Sequence, residues 1–210
     1  MDNNNKKFWD KVSTIYTPLQ EKANKKLYGV IVDRCKKYIN PTTDVLELAS
    51  GTGQFTFDLC KRAKSYVATD FSPNMVKELT KRGQELLTNE ERKTVTFSEE
   101  DATNLSYEDK SFDIVVIANA LHIMPDPRRA LNEIRRVLKD GGVLIAPTFI
   151  YEGKINHFRL WVMDKAGFKT YHKWTRASLG LFLKENNYVI EESEMLNASP
   201  LSEGFIVARK

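Results

Sequence analysis

The chain has 210 residues, 41% hydrophobic and 29% charged, with a net charge of +4. That length suits one domain of about 100 to 250 residues, and the balance of apolar to charged residues excludes a disordered or fibrous chain. Basic residues are interleaved with Asp and Glu, and no window approaches the ~18 apolar residues that span a bilayer, so neither a nucleic-acid partner nor a membrane span is expected.

The opening stretch Met1 to Val12 lacks the apolar centre of a secretory leader. Cys35 and Cys60 show neither a disulfide framework nor metal-ligand spacing, so no metal and a reducing, cytoplasmic setting are expected. Residues 1–40 read as a helical cap. Phe8 to Tyr16 forms one amphipathic helix, and Pro18 opens a second along which Leu19, Ala23, Leu27, Val30, Ile31 and Tyr38 keep helical spacing. The basic run Lys22 to Lys37 is the solvated face of that helix.

Strands and helices then alternate. Asp44 to Ala49 is a first strand, followed by a glycine loop and a helix from Gln54 to Arg62. Ser65 to Asp70 is a second, after which Ser72 is placed as N-cap and Pro73 at the first helical position. Thr94 to Ser98 gives a third, and "FDIVVIANA" from Phe112 a fourth, apolar nearly throughout as in a strand buried on both faces. Asp126 and Pro127 open a helix whose Ala130, Leu131, Ile134, Val137 and Leu138 share a face and which Gly141 and Gly142 stop; "VLIAPTF" is the fifth strand. Residues 150–175 are an aromatic, helical excursion, and a helix over Arg176 to Glu185 precedes closing strands Tyr188 to Leu196 and Glu203 to Arg209, joined by a short turn. The pattern predicts one α/β domain over 1–210, a Rossmann-like doubly wound sheet of seven strands with helices on both faces. It is mostly parallel, with an antiparallel C-terminal hairpin.

"LELASGTGQF" joins the first strand to its helix, where backbone N–H groups and a helix N-terminus receive ligands. Gly51 and Gly53 let the backbone approach closely, and Asp70 ends the second strand where a carboxylate can accept both ribose hydroxyls. A dinucleotide fingerprint needs glycine where Thr56 stands, and a phosphate-cradling loop needs a lysine that "GTGQFT" lacks. Glu47 inside the strand suits an ammonium group better than phosphates, which points to a zwitterionic ligand.

"VLELASGTGQF", "ATDFSPNMV", "EEDATNL", "FDIVVIANALHIMPDP" and "LKDGGVLIAPTF" together resemble a class I S-adenosylmethionine-dependent methyltransferase, closest to the small-molecule group that includes the ubiquinone and menaquinone methyltransferases. The resemblance implies S-adenosyl-L-methionine as cofactor and S-adenosyl-L-homocysteine as product. It implies that Glu47, Ala49, Gly51 and Gly53 line the methionine moiety, that Asp70 holds the ribose and Phe71 and Met75 lie against adenine or ribose. Asp101 with Ala102 would meet the adenine edge, and Asn119 the methionine end. Ala49 stands where the family more often has glycine, a departure expected to be mild.

Methyl transfer from a sulfonium is an in-line displacement that needs positioning more than acid–base groups. His122 is the candidate base for a phenol or amine acceptor, or else a hydrogen-bonded structural residue. Tyr16 is a candidate lid over the sulfonium, or a core aromatic. The rings of the excursion, Tyr151, Phe158, Trp161, Phe168, Tyr171 and Trp174, mark a candidate acceptor pocket or ordinary helical packing. A small-molecule acceptor is expected. A nucleic-acid methyltransferase, a nicotinamide oxidoreductase and a non-catalytic S-adenosylmethionine-binding protein are the alternatives, the first disfavoured by "NALH" after the fourth strand.

Overall fold

The computed structural model describes residues 25–153, 155–165, 169–199 and 201–210. Tyr16 and the expected helix over Phe8 to Tyr16 lie outside them. The first described helix, α1, covers 25–35, burying Leu27 and Ile31 while Val30 reaches solvent. The elements that follow are β1 (Asp44–Leu48), α2 (Thr56–Leu59), β2 (Ser65–Asp70), α3 (Pro73–Leu86), β3 (Val95–Glu99), β4 (Phe112–Ile117) and α4 (Pro127–Val137). The chain closes with β5 (Leu138–Ile145), β6 (Thr148–Ile150), α5 (His157–Lys165), α6 (Arg176–Glu185), β7 (Val189–Leu196) and β8 (Ser202–Arg209).

Local chemistry sets the boundaries. The Ser72 hydroxyl accepts from the Met75 N–H with Pro73 opening α3, and Asp126 accepts from the Arg129 N–H with Pro127 opening α4, each satisfying an otherwise orphaned donor. α2 is shorter than expected and passes into a 3-10 turn at Cys60–Arg62. α4 ends at Val137, before Gly141 and Gly142, because Leu138 already pairs with Phe112 as the first residue of β5; both glycines therefore lie in that strand and stop no helix.

The sheet runs β3–β2–β1–β4–β5–β8, with β7 on the far edge of β8. β1 to β5 are parallel, and β8 is antiparallel to β5, β6 and β7. Among the described residues the strands number eight, one more than expected, because the fifth is interrupted. β5 and β6 flank Pro147, which has no N–H for the ladder, and both pair with the same edge of β8, Ile145 opposite Val207 and Thr148 opposite Gly204. Helices cover both faces: α1 packs Ile31 and Cys35 with Val45, Val116 and Phe205, while α4 and α6 pack Leu131, Ile134 and Leu183 with Leu46, Val115 and Ile206. Alternate residues of every central strand serve opposite cores, which leaves the carboxyl ends of β1, β2 and β4 as the open end.

Candidate active site

A cleft of about 710 Å³, its open mouth included, lies at those strand ends. Ala49, Ser50 and Gly51 form one wall, Asp70, Phe71 and Met75 a second, and Ala118, Asn119 and Ile123 a third. Its position between β1 and β4, where the chain winds in opposite directions from the sheet's middle, is the switch point at which open α/β sheets bind ligands. Ala49 and Asn119 both turn with a φ of 54°, so two neighbouring strands are followed by left-handed residues that swing the chain out of the sheet.

Asp70 is held by the loop it faces. Its two carboxylate oxygens accept from the Gly51 N–H and the Ser72 N–H, each at 2.9 Å, which pins the carboxylate at the cleft. Gly51 turns with a φ of 57°. Gly53 does something different: it is not in the cleft wall, and a Cβ there would come within 2.4 Å of the Phe57 ring and 2.8 Å of Leu79. Its bareness lets α2 and α3 close on the loop.

Glu47 is buried beneath the loop and outside the lining. One of its oxygens accepts from the Thr56 hydroxyl at 2.6 Å and the Tyr66 phenol at 2.9 Å, and burial pushes the carboxyl up to about 7. Thr56, noted in the sequence only as a missing glycine, thus ties α2 to β1. The other oxygen, Oε1, is buried without a partner among the described residues. Asp101 and Ala102 do not line the cleft either; Asp101 accepts from the Thr103 N–H at 2.9 Å and its hydroxyl at 2.8 Å in a turn beyond β3.

His122 is buried in a 3-10 turn, its ring edge-to-face with Phe149 at 5.8 Å and outside the lining. Burial, with His172 nearby, holds its imidazole down to about 3, so it is neutral near pH 7. Its carbonyl accepts from the N–H groups of Tyr171 and His172 at 3.0 and 3.1 Å, docking the excursion. None of the described excursion rings lines the cleft. Trp174 stacks between His172 and Phe182, and Phe158 and Trp161 stack on each other while 72% and 57% exposed. Phe168 lies outside the described residues.

Sequence reading missed several residues in and behind the cleft wall, among them Ser50, Phe55 and Ile123. Tyr28 of α1 lines the cleft and meets Phe55 edge-to-face at 5.1 Å; its place on the apolar side of α1, beside Leu27 and Ile31, was the available signal. Gln54 also lines it. Glu203, just behind the wall, accepts from the Asn119 amide at 3.2 Å.

The Asp70 carboxylate, apolar Phe71, Met75 and Ile123, and the absence of lysine or arginine from the described lining suit a nucleoside carrying a cationic tail better than a pyrophosphate. In sequence the chain is similar to known methyltransferases. A methyltransferase-domain family profile matches residues 46–146. A demethylmenaquinone methyltransferase of Clavibacter sepedonicus is 34% identical over 146 residues, covering 67% of this chain and 56% of that protein; the chain thus spans just over half of that relative. The crystal structure of a possible histamine N-methyltransferase from Thermotoga maritima has a TM-score of 0.72 at 22% identity over 96% of both chains. The cyclase SpnF reaches a TM-score of 0.72 at 19% identity, over 86% of this chain and 80% of its own.

Proposed function

We propose that this chain, whose residues 46–146 match a methyltransferase-domain profile, is a class I methyltransferase that binds S-adenosyl-L-methionine in this cleft and transfers a methyl group to a small-molecule acceptor. The observation that carries the reading is Asp70, fixed at the end of β2 by the Gly51 and Ser72 N–H groups and facing the cleft. Asp70 would accept the ribose hydroxyls, Phe71 and Met75 would flank the nucleoside, and Ala49, Gly51 and Asn119 would border the methionine end. The bound cofactor supplies a methyl group activated on a sulfonium.

The protein's own part is to hold the two reactants in line and keep water out, which supplies much of the rate without a dedicated acid or base. His122, neutral and behind the wall, acts in this reading as packing that docks residues 171 and 172. Demethylated quinones are the first acceptor class to assay, since that substrate stands in a relative's name, followed by amines and thiols. A cytoplasmic setting belongs to the same proposal: Cys35 and Cys60 are free and buried, and burial raises both thiols, Cys60 to about 12. Among the described residues no helix is long and apolar enough to cross a membrane.

Calorimetric titration with S-adenosylhomocysteine tests the proposal, with NADH as control and Asp70→Ala as second protein. Binding of the first alone, weakened at least tenfold in the variant by loss of about 1.4 kcal/mol or more, is the expected result. Heat from NADH with silence toward S-adenosylhomocysteine would overturn it.

A further inference from the structure

Glu203 is the second residue of β8 and is fully buried, flanked by Phe149 of β6 and Leu196 of β7. Its Oε1 accepts from Asn119 Nδ2 at 3.2 Å, and it makes no other hydrogen bond among the described residues. Glu203 Oε2 and Asn119 Oδ1 are both buried there without partners. Two orphaned acceptor oxygens on the two members of one hydrogen-bonded pair is an arrangement that folded proteins avoid. A single proton reconciles them: a neutral carboxyl makes Oε2 a donor, and the complementary acceptor is Asn119 Oδ1.

The surroundings favour that proton. Burial pushes the Glu203 carboxyl up to about 8, and among the described residues no cation pairs with it. Its titratable neighbour is Cys35 of α1, whose thiol is raised by burial and by both Glu47 and Glu203. That thiol offers no positive charge.

Asn119 is where this matters. It lies two residues past β4 with a φ of 54°, lines the cleft, and donates its backbone N–H to the Pro147 carbonyl at 2.8 Å, at the break between β5 and β6. We propose that Glu203 is a positioning residue of the cofactor cleft: as a neutral acid it closes an amide–acid pair with Asn119 and fixes that left-handed wall residue from a strand 84 positions away. The inference rests on the cofactor reading of the cleft. Ionisation would remove the Oε2 donor, leave two acceptors facing each other and release the wall.

Two measurements on the full chain test it: the Asn119 side-chain amide signal in ¹⁵N spectra of the free protein, and S-adenosylhomocysteine affinity by calorimetry, both followed from about pH 6 to about pH 9. In the wild type the amide signal titrates and affinity falls about tenfold across the same step. Glu203→Gln, which supplies both a donor and an acceptor without titrating, binds as the wild type does at low pH and is flat in both readouts. Glu203→Leu, checked for folding by circular dichroism, binds about tenfold more weakly at every pH. Equal affinity in the leucine variant, or one pH profile shared by wild type and glutamine variant, would overturn the proposal. A wild type silent toward S-adenosylhomocysteine instead removes the cofactor reading and the cleft role with it, while the Asn119 signal still reports separately whether the pair exists.

Discussion

Ala49 and Asn119 hold the same left-handed backbone with unequal means. Asparagine tolerates that region and has its N–H and side-chain amide bonded to Pro147 and Glu203. Ala49 has a φ of 54° and a side chain with no polar group to bond the turned backbone. The departure from glycine that looked mild in the sequence is therefore a backbone cost of about 1 to 2 kcal/mol, against about 0.5 to 1 kcal/mol that glycine would lose in unfolded-chain entropy. Ala49→Gly should raise the unfolding free energy by about 0.5 to 1 kcal/mol in urea titrations, with the m-value unchanged. A destabilised variant would mean that the methyl group makes a contact worth more than the strain.

The two glycines of the loop show how an element's packing divides one motif into separate duties. Gly53, with a φ of 90°, leaves no room for a Cβ between Phe57 of α2 and Leu79 of α3, whereas a Cβ on Gly51 would meet only the Gln54 side-chain oxygen at 3.3 Å. Gly53→Ala should therefore destabilise by about 2 kcal/mol or more and Gly51→Ala by about 1 kcal/mol, measured side by side in denaturant; the reverse order would refute this assignment. Much of the fold was legible because its signals are local: the caps at Ser72 and Asp126, the bounds of β2 and α6, and the antiparallel closing strands are written in adjacent residues. Asp70 and Gly51, singled out from the loop and strand end, and Phe71, Met75 and Asn119, named through the resemblance, all line the cleft. What escaped depends on distant contacts. Pro147 splits a strand only because β8 lies beside it, Glu47 turns from the cleft because Thr56 and Tyr66 hold it, and nothing near Glu203 in sequence announces Asn119.

At the scale of the molecule, the buried ionisable groups act on stability together. Burial raises Glu47 to about 7 and Glu203 to about 8, above the ~4.3 of a glutamate in an unfolded chain. The native state keeps two protons that the unfolded state releases, so their contribution is complete at low pH and is lost as pH rises through the folded values. His122 works in the opposite direction: held down to about 3, it leaves the unfolded chain binding the extra proton below about 6.5, so its contribution is lost as pH falls. Between about pH 4.5 and 6.5 the histidine offsets part of the carboxyl effect, and above that only the carboxyls act. The unfolding free energy of the ligand-free protein should therefore fall most steeply from about pH 6 to 7.5, by up to about 1.4 kcal/mol per pH unit for each carboxyl still protonated. Urea titrations at the two ends of that interval measure it. Glu203→Gln should remove the upper part of the fall, and combining it with Glu47→Gln should level the curve, because neither amide can ionise. A free energy that rises through the interval would show both carboxyls to be charged in the native state, and would require a cation beside each that the described residues do not supply.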